Sequence, residues 1–153
     1  MSMNCAFIYF RMLSLRLDDL HNTLFSPSKH FHSDFISIGE MCWRISAQML
    51  TNSLSVSLEY QPREPGREYQ MTIAGHLEIL PNGLRAGTQQ QRMYNGLFFQ
   101  INRQLSGVFG PDRLVESKCI GVVSLEKLKE LTCAEQKEPL VIELWLIQRR
   151  SCN

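Results

Sequence analysis

The side chains best able to do chemistry in this chain are five cysteines and four histidines. Cys5, Cys42, Cys119, Cys133 and Cys152 are odd in number and show no C-x-x-C spacing. A structural zinc ion takes closely spaced ligand pairs, so the pattern predicts free thiols and no metal site. Free thiols suit a reducing compartment. His30-x-His32 sets two imidazoles on one face of an extended segment, as a metal site would, but no third ligand stands near them. The pair reads as a polar loop-to-strand transition. Cys119 could act as a nucleophile only beside a His and a carboxylate. In its apolar neighbourhood it reads as a buried structural thiol. The sequence shows no Ser/His/Asp set, paired-carboxylate motif or phosphate-binding Gly loop. The expectation is a protein that is not an enzyme and uses no cofactor.

Composition narrows the partners. A chain of 153 residues, 44% hydrophobic and 20% charged, is long enough for one domain with a real core and short for two. Sixteen basic against fifteen acidic side chains leave a formal charge of +1. That balance points to no nucleic acid and no anionic membrane as partner. The apolar run at residues 6–10 is interrupted by Arg11 and Arg16, too short to span a bilayer and poor as a signal peptide. A soluble, cytoplasmic (or nuclear) protein is expected.

The elements that must position any site are strands. Met41, Trp43, Ile45, Ala47 and Met49 alternate with polar residues, and so do Leu54, Val56, Leu58 and Tyr60. Thr51-Asn52-Ser53 between them has the length and chemistry of a hairpin turn. Residues 6–17 read as a first strand, with Phe7, Tyr9, Leu13, Leu15 and Leu17 of one parity. Residues 18–29 read as a loop, and residues 31–38 as a short strand closed by Gly39. After a Pro/Gly loop at 61–67, Met71, Ile73, Gly75, Leu77 and Ile79 share one face of a further strand. A turn at Pro81-Asn82-Gly83 leads to a polar, mobile segment at 84–91. A strand over 93–101 has a bulge or shifted start at Asn95-Gly96, and residues 102–116 read as a long loop.

The last third is the most informative. Ile120, Val122 and Val123 form a short buried strand. Ser124 then caps a two-turn helix with Leu125, Leu128 and Leu131 on one side. Leu140, Ile142, Leu144 and Leu146 alternate with Val141, Glu143, Trp145 and Ile147, apolar on both faces except at Glu143. That fits a central strand covered on each side. Trp43 and Trp145, on period-two strands, read as core. Seven to eight short strands with one short helix predict an all-β fold, an antiparallel β-sandwich forming a single domain over residues 1–153.

Three stretches together resemble the MATH (meprin and TRAF homology) domain, the fold related to the TRAF C-terminal domain. They are FISIGEMCWRIS at residues 35–46, the hairpin-and-strand pattern at 54–79, and VVSLEKLKE…EPLVIELWLI at 122–147. The match runs over about residues 6–147 in the right order. The strand–Ser-Leu-x-x-Leu–loop–strand ending is its most specific part.

The resemblance implies an eight-stranded sandwich that binds extended peptide segments of other proteins, commonly as an adaptor in ubiquitin-ligase, deubiquitinase or receptor-signalling complexes. An exposed strand edge would supply backbone hydrogen bonds and shallow pockets the selectivity. The peptide-binding members line their groove with aromatics. Here the matching positions are Ser57, Gly75 and the run from Ser117 to Cys119, none aromatic. Tyr94 and Phe98, beside the 102–116 segment, are further candidates to face a partner. The alternative is a structural subunit docked in a larger assembly, favoured by Phe7, Ile8, Tyr9 and Phe10 and by the doubly apolar last strand. A homo-oligomer is compatible with either.

Overall fold

Period-two alternation dictates extended chain through most of this sequence, and the computed structural model describes residues 6–18, 29–64, 68–108, 115–131 and 139–151. The strands are β1 (Ala6–Leu17), β2 (His30–His32), β3 (Ile36–Ile38), β4 (Met41–Met49), β5 (Ser53–Pro62), β6 (Glu68–Pro81), β7 (Leu97–Val108), β8 (Glu116–Ser124) and β9 (Leu140–Ser151). Two short helices, α1 (Gln89–Asn95) and α2 (Leu125–Leu131), complete them, with a 3-10 turn at Asn82–Leu84 before α1.

The strands form two antiparallel sheets. One has the order β1-β9-β6-β7; the other has the order β2-β4-β5-β8, with β3 also paired to β4. The expected hairpin is β4–β5, in register from Met49 opposite Leu54 to Trp43 opposite Tyr60. Its alternating residues Trp43, Ile45, Leu54, Val56, Leu58 and Tyr60 are fully buried. They meet Leu13, Ile73, Leu77, Ile142, Leu144 and Leu146 of the opposite sheet in one core. Each such large side chain removed from water contributes about 1.5–3 kcal/mol, which is what holds two sheets face to face. The chain is an all-β antiparallel sandwich.

β9 is a central strand, as its doubly apolar pattern requires, paired along its length to β1 and to β6. The link from β8 in one sheet to β9 in the other carries α2. Ser124 Oγ accepts a hydrogen bond from the Lys127 amide at 3.2 Å, and Leu128 and Leu131 are buried. A seven-residue helix is marginal alone and is held here by that apolar side.

Three expectations about the elements are corrected. Residues 31–38 are not one strand: β2 and β3 pair separately with β4, interrupted at residues 33–35. The polar segment before β7 contains α1, so two helices stand where one was expected, and Met93, Tyr94 and Asn95 are helical rather than extended. Residues 102–108 continue β7, and β8 starts at Glu116. Gly75 lies mid-strand at φ 141°, and a Cβ there would sit 1.8 Å from the Trp145 carbonyl oxygen. It is a point of close backbone approach between β6 and β9. The 18–29 loop and residues 109–114 lie for the most part outside the described residues.

Candidate functional site

β8 is hydrogen-bonded on one side only among the described residues, to β5, so its other edge is open. β7 is likewise an edge strand, and β7 and β8 lie on the same side of the sandwich. There Gly121 allows close approach: a Cβ would stand 3.1 Å from Leu77 Cδ2 and 3.5 Å from the Phe99 ring. The β5–β8 register shifts between Val56, opposite Gly121, and Ser57, opposite Cys119. Ile120 is the extra residue of a β-bulge, and a bulge re-aims the side chains that flank it. Ile120 and Val123 therefore point inward, while Cys119 and Val122 point out; Val122 is 55% exposed. This corrects two expectations: Cys119 is an exposed thiol, not a buried one, and Val122 is not core. Cys119 Sγ lies 3.6 Å from Ser55 Oγ and 3.7 Å from the Gly121 carbonyl oxygen.

The structure thus brings Ser57, Ser117 and Cys119 together on β5 and β8. It leaves the other three candidates apart from them. Gly75 is in the opposite sheet, between β7 and β9. Tyr94 is 89% exposed on α1, and Phe98 is 41% exposed at the start of β7.

The outer face of the β1-β9-β6-β7 sheet has two halves. One end lies beneath the 3-10 turn and α1. There Glu78 and Glu143 are buried, and so are Leu80 and Val141, outside the main core. Arg85 Nε binds Glu143 Oε1 at 2.7 Å, and Arg92 Nε lies 3.7 Å from Glu78 Oε2. The second Glu78 oxygen is 3.5 Å from His76 Nε2. Charges buried this far need such partners, and these partners fasten the α1 segment to the sheet.

Among the described residues, no helix or turn covers the other half. A row of rings crosses it, one from each strand: Phe10, Trp145, His76 and Phe98. Their centroids are 5.9, 6.0 and 4.8 Å apart in that order, with planes inclined by 33°, 23° and 21°. Trp145, expected in the core, is half-buried on this outer face; only Trp43 is a core tryptophan. Met12 and Ile147 flank the row, each partly exposed. Sequence reasoning missed the row because its members come from four separated strands, and only the register makes them neighbours.

The outer face of the other sheet is polar. Glu59 Oε1 accepts from Arg44 Nε at 2.9 Å and stands 3.2 Å from His32 Nδ1. Arg44 also covers the Phe35 ring at 4.4 Å. The rings of His30 and His32 are 5.2 Å apart. Among the described residues no three His, Cys, Asp or Glu side chains lie close enough to share a metal ion. At one end of the sandwich a cleft of 530 Å³ is lined by Glu40, Met41, Glu68, Tyr69 and Met71 among others, with neither His nor Cys among its described lining residues. Behind it, Tyr60 and Tyr69 bring their hydroxyls to 3.5 Å. Burial, with the Tyr69 hydroxyl contact adding to it, pushes the Tyr60 phenol above the usual tyrosine range.

The sequence matches no protein-family model, and no curated protein is significantly similar to it. Among the described residues, no helix is long and apolar enough to cross a membrane.

Proposed function

We propose that this chain is a non-enzymatic recognition domain of the MATH/TRAF-C kind, which takes an extended segment of another protein along the open edge of β8. The observation that carries this reading is the edge itself: β8 pairs only with β5 among the described residues, and its bulge turns Val122 and Cys119 outward beside it. A segment added there gains backbone hydrogen bonds from the strand, while the alternating outward side chains select its sequence. The order of elements, with a short helix joining β8 to the central β9, agrees with the resemblance. An adaptor role in a ubiquitin-ligase or signalling complex, in the cytoplasm or nucleus, goes with that reading. The groove is poor in aromatics: Ser57, Ser117 and Cys119 favour a small, polar segment over a bulky apolar one.

The test is affinity purification of the tagged chain with mass spectrometry, followed by hydrogen exchange on the chain with the recovered partner's fragment. Binding is expected to protect β8 amides and to be lost in Val122→Asp, a change at an exposed position that leaves the core intact. Protection confined to other strands, or binding indifferent to Val122→Asp, would refute the edge reading. The second reading, a subunit docked permanently in a larger assembly, draws on the exposed Phe10 and Ile147. It predicts one stoichiometric complex that survives purification without exchange.

A further inference from the structure

We infer that the segment taken along the open edge of β8 is acidic, with a carboxylate set between Lys118 of β8 and Arg103 of β7; this presupposes that β8 is the binding edge. Residues paired across a sheet share a face. Lys118 pairs with Leu58, Arg103 with Ile73 and Arg11 with Leu146, and all three partners are fully buried. Each of these cations therefore stands on the core-facing parity of its strand, yet each is exposed. Their strands, β1, β7 and β8, are the long edge strands of the two sheets. The inner strands hold no charge at the matching positions, which run in steps of two from Met41 to Met49, Leu54 to Tyr60, Tyr69 to Ile79 and Leu140 to Gln148. A cation so placed keeps a plain apolar strand from pairing at the edge, because pairing would bury the charge. It also sets what kind of strand can enter.

The open side between β7 and β8 holds two of the three cations. The sheets approach there where Gly121 faces Phe99. Arg103 lies farther along β7 and Lys118 farther back along β8. Both directions lead to the end where Tyr60 meets Tyr69, since Glu116 pairs with Tyr60 and Gly107 with Tyr69. The two cations thus flank one slot between the sheets. Among the described residues neither has an ion-pair partner. Glu116, on the same face of β8, stands opposite Tyr60. An extended segment added to β8 sends every second side chain into this slot. An apolar residue there leaves two cations partly buried without partners, and a Lys or Arg adds repulsion. An Asp or Glu meets both with charge-assisted hydrogen bonds. A second copy of this chain is disfavoured on the same ground: antiparallel β8–β8 pairing puts both Lys118 side chains on one face of the joined sheet.

The test is selection of random displayed peptides on the full chain, each about nine residues long, enough to form a strand. Enriched peptides are expected to carry Asp or Glu at one position. Replacing that residue by Lys in a synthetic copy is expected to weaken binding at least about tenfold. Lys118→Glu, at an exposed position, is expected to keep the wild-type circular dichroism and to reverse the preference, so that the Lys copy binds more tightly than the acidic one. Loss of the fold cannot produce that reversal. Arg103→Gln is expected to narrow the preference without reversing it. Peptides whose binding is lost in Val122→Asp but that show no acidic preference overturn this proposal and leave the edge reading standing. Failure to enrich any peptide, or binding indifferent to Val122→Asp, removes both. A synthetic copy that binds only with phosphoserine at that place overturns the carboxylate assignment. Protection of β8 amides that grows with the concentration of the chain alone would show self-pairing at this edge, and overturns it too.

Discussion

Gly75 shows how much a single backbone position can decide. It holds φ 141° where β6 runs closest to β9, with the Trp145 carbonyl oxygen occupying the space of the missing Cβ. Alanine there must either break the β6–β9 ladder or push β9 out of the core, so Gly75→Ala is expected to cost about 3 kcal/mol or more, as strain at a special conformation does. Urea denaturation measures it; a loss below about 1 kcal/mol, the ordinary cost of a point change, would show that the strands can part freely. The sequence marks Gly75 as one apolar-parity position among several and as a groove residue by resemblance; the backbone reason is visible only once β9 is beside it. Cys119, read as buried from its apolar neighbours, turns outward by simple alternation beside the inward Ile120; Val122 is misread for another cause. Parity counting assumes an unbroken strand, and one extra residue at Ile120 inverts every side chain on the far side of it. Ser124 was legible because its cap is a bond between near neighbours in sequence.

At the level of elements, the strands with a full alternating pattern were readable, while α1, the split between β2 and β3 and the far end of β7 were not. Alternation in β4, β5, β6 and β9 is set by which face is buried, so it survives in the sequence. The run Gln89-Gln90-Gln91-Arg92 has no apolar stripe, and its helix rests on other forces. Its one local signal is Thr88-x-x-Gln91: the Gln91 amide donates to Thr88 Oγ1 at 3.2 Å, and the Thr88 amide donates to Gln91 Oε1 at 3.0 Å. That is a capping box. The rest is tertiary, from Arg85 and Arg92 meeting buried Glu143 and Glu78. Removal of Arg85 strands a buried carboxylate, so Arg85→Ala is expected to destabilise the fold by about 2 kcal/mol, allowing for its partial exposure. Thr88→Ala is expected to cost about 1 kcal/mol, and to do so locally, as faster amide exchange within α1. If Thr88→Ala proves the more damaging in denaturation, the ion pairs are not what holds α1 down.

For the molecule as a whole, the two-sheet class followed from strand number, turn spacing and length, whereas the placement of open edges and bare faces needed the strand order. Stability at high pH is a property of this scale, because Tyr60 spans the interior between Trp43 and Tyr69. The folded chain holds the Tyr60 proton more tightly than the unfolded chain does. Its contribution is thus present in full below about pH 10, the unfolded value, and is lost as pH climbs beyond that toward the folded value. Denaturation midpoints of wild type and Tyr60→Phe are expected to diverge in slope above that point, the variant declining less; parallel curves would mean Tyr60 does not couple to folding. The strand order has one more consequence, for the chain as the ribosome makes it. β4 and β5 can zip together as soon as they emerge, but β1 and β6 have no common neighbour until β9 has been translated. Until residues 140–151 have been made, the nascent chain carries β1 as an unsatisfied apolar strand with an empty place beside it.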